Sequence, residues 1–133
     1  MVVDANVLFS ALVRDSGTRK ILVSGKIRAL APEYLLSELA EHKSEMLSKS
    51  ALSRDEFDDL VRALLAVVTV IEADSFSMHL KTARRISPDV DDAPYLALCL
   101  ARRISLWSND VALGRQKMVR VHTTADLVAK LGL

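Results

Sequence analysis

The sequence predicts an α/β fold in which a mostly parallel sheet of about five strands is covered by helices on both faces. Three observations predict it. Short apolar or β-branched runs alternate with segments of helical periodicity along the chain. The first run, Met1-Val2-Val3, is apolar throughout, as a strand buried on both faces must be. Gly, Pro and Ser residues stand at the boundaries between the two kinds of segment.

Met1 to Val3 is the first strand, and Asp4 stands at its carboxyl end. Leu8 to Val13 reads as a short helix broken by Asp15-Ser16-Gly17, and Thr18 to Val23 as one or two further turns closed by Ser24-Gly25. Lys26 to Ala31 is the second strand, ended by Pro32. A helix follows over 33–48, with Leu35, Leu36, Leu39, Ala40, Met46 and Leu47 near one face. Ser53-Arg54-Asp55-Glu56 is a capping box. The helix it opens carries Phe57, Leu60, Val61, Leu64, Leu65 and Val68 on a wide apolar stripe, a core face that also offers a homodimer surface. Val67 to Ile71 is β-branched and gives the third strand; Ser75 to Ile86 is a helix stopped by Ser87-Pro88. Asp92 to Arg103 is the next helix, with Pro94 in its first turn, where a missing N–H costs little. Ile104 to Ser108 and Val119 to His122 are the fourth and fifth strands, and Thr123 or Thr124 caps a last helix.

At 133 residues, half of them hydrophobic, the chain is expected to form one domain with a substantial core. No apolar run reaches the roughly 18–20 residues that span a bilayer, and no charged-then-apolar signal segment precedes the first strand. No membrane association is expected. The lone Cys99 excludes an internal disulfide and suits a reducing, cytoplasmic setting. With 18 basic and 17 acidic residues, composition does not point to a strongly basic nucleic-acid binder. Local basic groups remain, around Arg14, Arg19 and Lys20 and at Arg115 and Lys117.

Four carboxylates stand apart from the ordinary surface acids. Asp4 ends the first strand, Asp110 follows the fourth across Ser108-Asn109, Asp92 opens a helix after Asp89-Val90-Asp91, and Glu38 lies in an apolar helical segment. In a doubly wound sheet the first and fourth strands are neighbours at the switch point, so Asp4 and Asp110 are expected side by side. Alone, such a cluster is unfavourable and raises carboxyl pKa values. A divalent cation removes the conflict, and Mg²⁺ or Mn²⁺ suits all-oxygen ligands. That is apparatus for metal-assisted phosphodiester hydrolysis, with two ions about 3.5–4 Å apart where two are present. Taken singly, Asp92 and Asp110 also read as helix caps, and Glu38 as a surface glutamate.

His42, His79 and His122 lack a paired metal-ligand spacing, and no Gly-rich phosphate loop exists. Trp107 reads as core. Tyr34 and Tyr95 follow helix starts near the expected crevice, where Tyr95 offers a stacking surface. Asp4-Ala5-Asn6 does not suit enzymes with an aspartate nucleophile, because Asn6 cannot supply their second acid.

Four stretches, 3–10, 31–39, 89–98 and 106–110, resemble in order and spacing the motifs of PIN-domain proteins, and the resemblance spans nearly the whole chain. It implies a three-layer α/β/α sandwich and Mg²⁺- or Mn²⁺-dependent endoribonuclease activity, probed best on single-stranded RNA. Many prokaryotic members are toxins paired with an antitoxin protein, and many are homodimers. The family's acids fall on Asp4, Glu38, Asp92 and Asp110, with Asn6, Asp91, Ser108 and Asn109 in supporting positions. Asp92 is favoured over Asp91 because the Ala-x-x-Leu-Ala pattern follows it directly. A further acid that some members place after the fourth is missing here, where Leu113-Gly114-Arg115 follows. This leaves two alternatives: one tightly held ion joined by a second that the substrate recruits, or two held ions. It also motivates a second reading, a non-catalytic PIN-fold module that binds RNA or protein.

Overall fold

The computed structural model describes residues 1–14 and 17–133; Asp15 and Ser16 of the expected break at Asp15-Ser16-Gly17 lie outside them, and Gly17 opens a helix. Among the described residues five strands form one sheet in the order β3-β2-β1-β4-β5. They are β1 (Val2–Val3), β2 (Ala29–Pro32), β3 (Val68–Ile71), β4 (Leu106–Trp107) and β5 (Val121–His122). Every neighbouring pair is parallel. Both residues of β1 and of β4 and all four of β2 are buried, which is why these runs carry no polar alternation.

The helices are α1 (Ala5–Val13), α2 (Gly17–Val23), α3 (Tyr34–Ser50), α4 (Arg54–Ala66), α5 (Leu80–Ile86), α6 (Ala93–Arg102), α7 (Val111–Arg115) and α8 (Thr124–Leu131). On one face α1, α3 and α4 pack on one another; on the other, α6 lies across β1, β2 and β4 with α5 against it. The sheet between these layers makes the expected three-layer α/β/α sandwich. Six residues of α6 are buried, three of them Ala or Cys, small enough to let the helix sit close to the strands. Trp107, Tyr95, Phe57 and Phe76 are the largest fully enclosed side chains of the core.

Local signals are realised closely at several ends. Ser53 Oγ accepts from Glu56 N, and Glu56 Oε1 accepts from Ser53 N, closing the capping box of α4. Thr123, not Thr124, caps α8, in a second box with Asp126. The second strand starts later than expected. Gly25 turns the chain at φ +73°, Lys26 and Arg28 are exposed, and pairing begins only at Ala29. The helix expected over 75–86 is continuous only from Leu80. Two 3₁₀ turns, Ala73–Ser75 and Ser77–His79, precede it and are separated by Phe76. Phe76 leaves the helical path at φ −132° and is almost fully buried, so its ring anchors the chain where the helix should have begun.

Most of the wide stripe on α4 is taken up within the chain. Phe57 and Leu64 are buried, and Leu60, Val61 and Leu65 pack against the core. What remains is a groove of about 370 Å³ between α3 and α4, lined by apolar residues and by Lys43, Asp58 and Arg62. Among the described residues no helix is long and apolar enough to cross a membrane. Cys99 is buried and unpaired, and burial pushes its thiol up to about 12.

Candidate metal centre

Parallel pairing of β1 with β4 aligns Val3 with Trp107, so the next residues, Asp4 and Ser108, leave the sheet together. Asp4 is 4% exposed and Ser108 is fully enclosed. Asp4 Oδ2 accepts from Ser108 Oγ at 2.8 Å. The same Ser108 oxygen accepts from Asp110 N at 3.1 Å, so one buried hydroxyl ties the two strand-end acids together. Burial raises the Asp4 carboxyl above its usual range, and the nearby Asp110 adds to the rise. The Ser108 bond and the Ala5 and Asn6 backbone N–H groups work against it.

A cleft of about 650 Å³ opens over this edge. Asp4, Asn6, Glu38, Asp91, Asp92 and Asp110 all line it. Four separate stretches of sequence therefore bring acids to the lining of one cleft.

The acids differ in how they are held. Glu38, half-buried on α3, accepts from the Tyr95 hydroxyl at 2.5 Å. Its pKa is raised, mainly by burial, with Asp91 and Asp4 adding to the rise and the Tyr95 bond opposing it. Asp91 is exposed and accepts from the Tyr34 hydroxyl at 2.8 Å; that bond pushes the phenol up to about 12. Asp92 stands at the start of α6 in helical conformation and makes no side-chain cap bond. Its carboxyl is pushed up to about 7 by burial first, then by Asp4, Asp89, Asp110 and Glu38. Asp110 does cap its short helix, Oδ1 accepting from Ala112 N at 2.8 Å, and it borders the cleft at the same time.

Other expectations are redirected. Asn109 does not line the cleft. Its amide bonds Thr124 twice, Nδ2 to Oγ1 at 2.9 Å and Oδ1 from the backbone N at 2.8 Å, so it braces the loop after β4 against α8. Tyr95 is buried and spent on Glu38, and offers no face to a base. Of the basic residues expected nearby, Arg14 lines the cleft, whereas Arg19 Nε donates to Ala11 O and ties α2 to α1. Lys20, Arg115 and Lys117 do not border the cleft. Two features went unread in the sequence: the carboxylate-holding role of both tyrosines, and the place of Phe9, His42 and Lys49 on the wall. Helical spacing was the available signal, since Phe9 lies three residues after Asn6 and His42 four after Glu38.

The donor set is all oxygen and carries an excess of negative charge in a partly buried cleft, which suits a hard divalent cation. No group of three or more His, Cys, Asp or Glu side chains among the described residues is drawn together closely enough to hold an ion alone. The acids border a shared space rather than form a closed cage.

A PIN-domain family model matches residues 2–129. The chain belongs to the PIN-domain family. PIN domains are generally nucleases. Among solved structures, this PIN domain is similar to a chain of a toxin–antitoxin complex from Klebsiella pneumoniae. The identity is 14% and the TM-score 0.69, over 92% of this chain and 96% of that one. At that identity the likeness shows the shared fold. Among curated proteins no match is found.

Proposed function

We propose that this PIN domain is a Mg²⁺- or Mn²⁺-dependent endoribonuclease cutting single-stranded RNA at the cleft over β1 and β4. Asp4, Asp92, Asp110 and Glu38 are the ligands, and Asn6 and Ser108 support them. The observation that carries the reading is the meeting of these four acids on one cleft, with the Asp92 carboxyl pushed up to about 7 by burial first and then by its acidic neighbours. Asp92 is preferred to Asp91 because Asp91 is exposed and engaged by Tyr34, while Asp92 is more buried and makes no cap bond.

In this reading the chain's own residues set the stage. Ser108 fixes the Asp4 carboxylate and Tyr95 fixes that of Glu38, so both point at the cleft before substrate arrives. A divalent ion, when bound, supplies charge stabilisation at the phosphate and acidifies water. Hydrolysis adds water across the phosphodiester: phosphorus gains the hydroxyl oxygen, and the departing sugar oxygen takes a proton. This reading needs no covalent route; Ser108, the serine bonded to Asp4, is enclosed and committed to two acids.

The solved relative belongs to a toxin–antitoxin complex. This supports the further reading that the chain is the toxin of such a pair, acting in the cytoplasm, with a small antitoxin protein as partner. The groove between α3 and α4 is the surface offered for that partner or for a second copy in a homodimer. The test of activity is cleavage of single-stranded RNA with Mg²⁺ or Mn²⁺, beside Asp4→Asn. Metal-dependent cleavage that the variant loses supports the assignment; equal cleavage by the variant removes it.

One observation favours a non-catalytic module instead: Asp110 is already used as a cap, and the next few residues, through Leu113-Gly114-Arg115, bring no further acid beside it. Metal titration separates the two. A ligand at 100 times its dissociation constant stabilises by about 2.7 kcal/mol, so an unmoved melting transition in millimolar Mn²⁺ selects the inert module.

A further inference from the structure

Beyond the carboxylates the cleft continues as a groove between α1 and α3. The two helices follow the parallel, adjacent strands β1 and β2, so both start at the acidic edge and run away from it side by side. Phe9 and His42 come first along the walls, then Val13 and Met46, then Arg14 and Lys49. From Asp4 to Arg14 the helix axis advances about 15 Å at 1.5 Å per residue.

The Phe9 and His42 rings lie 5.6 Å apart, tilted by 57°, and both are only partly covered. Lys49 Nζ is engaged by Glu45 at 2.8 Å. The Arg14 side chain has no ion pair or hydrogen bond among the described residues, although it borders the groove. Along α1 the acidic edge is thus followed by the Phe9 ring and then by the Arg14 cation, while on α3 Glu45 borders the groove between His42 and Lys49 and contacts both. Proteins that hold single strands combine cations along the backbone with aromatic faces under the bases. A rigid duplex cannot turn its base faces toward such a wall.

We propose that Phe9 and His42 form a base-stacking subsite and Arg14 a phosphate anchor. Together they make a track for one RNA strand leading away from the acids. The class of ligand rests on the nuclease reading above; the track itself is tested without catalysis. Anisotropy of a labelled single-stranded oligoribonucleotide is measured in EDTA. Arg14→Ala is expected to weaken binding about tenfold, equal to about 1.4 kcal/mol. It should also flatten the slope of log K against log salt by about 0.7, one phosphate contact on a single strand. Phe9→Leu keeps apolar bulk but removes the ring; it should weaken binding about tenfold with the salt slope unchanged, and Phe9→Tyr should restore it. Duplex RNA of the same length should be insensitive to all three.

No binding by the parent protein, unchanged affinity in both Arg14→Ala and Phe9→Leu, or equal losses on duplex overturns the track. Cleavage is read separately. If no Asp4-dependent cleavage occurs, the nuclease reading falls and the anisotropy series still decides the track. If cleavage is Asp4-dependent but Arg14→Ala leaves KM unchanged on the oligomer, the track falls and the nuclease reading stands.

Discussion

The hydroxyl of Tyr95 on α6 donates to Glu38 on α3 at 2.5 Å. A second tyrosine crosses in the opposite sense: Tyr34 on α3 donates to Asp91, just before α6, at 2.8 Å. Each tyrosine shares a stretch with one site acid and holds the acid of the other stretch. Two helices from opposite faces of the sheet are thereby laced across the cleft, and the carboxylates are aimed before any ligand arrives. Partners of this kind commonly change metal affinity or activity by 10–100-fold when removed.

Tyr95→Phe tests the lacing with little change in volume. Mn²⁺ affinity should fall about tenfold or more, and metal-free stability should fall by about 1.5–3 kcal/mol for a bond to a charged group. Isothermal titration and denaturant melts measure the two. Parent-like Mn²⁺ affinity would mean that Glu38 does not face the ion.

Ser108→Ala removes the hydroxyl shared by Asp4 and the Asp110 backbone N–H. Leaving a buried donor and a buried carboxylate short of a partner should cost about 1–3 kcal/mol. The Asp4 carboxyl, already raised by burial, should rise further, so metal binding should weaken most at acidic pH. An intact metal affinity across the pH range would place Asp4 outside the ligand set.

Asn109→Ala separates bracing from chemistry. Asn109 is turned to Thr124 and away from the cleft, so its loss should lower stability by about 1–2 kcal/mol and leave Mn²⁺ affinity as it was. A tenfold loss of affinity with unchanged stability would reverse that assignment.

The strand-end acids were legible because their placement follows from topology alone. Once β1 and β4 are neighbours, Asp4 and Asp110 must share an edge, and Asp92 reaches it from the start of α6. The tyrosines were not legible in this way. Their bonds join residues 57 apart in sequence, and only the packing of α3 and α6 against the sheet decides which acid each reaches. Asn109 misled for a related reason: the α8 start that captures it lies beyond β5, and adjacency to Asp110 in sequence says nothing of that contact. The late start of α5 was hidden because Phe76 fits a helical stripe as well as it fits the pocket that takes it out of the helix.

The titration of the acids gives the sign of a pH effect. A carboxyl whose folded pKa exceeds its unfolded value holds its proton more tightly when folded. Its contribution to stability is complete below the unfolded value and is lost as pH rises through the folded one. Asp92 moves from 3.8 to about 7, and Asp4 and Glu38 move in the same direction. Metal-free protein should therefore melt higher as pH is lowered from about 8 to about 5.5. Saturating Mn²⁺ should flatten or invert the trend, because protons then compete with the ion. A metal-free melting curve that falls over this range would mean that the acids are better solvated than the cleft suggests.

Asp4→Asn brings the electrostatic argument to one atom. Asparagine keeps an acceptor for Ser108 Oγ and removes a buried negative charge that faces Asp92 and Asp110. Without divalent ions the variant should be more stable than the parent, with each kcal/mol worth about 4 °C in Tm for a chain of this size. With Mn²⁺ the order should invert, since the parent gains binding energy that the variant has lost. A residue retained for packing would behave otherwise: its replacement would destabilise the protein in both conditions. A crossing of the two Tm values would therefore mark a site that is strained when empty and relieved when a cation enters.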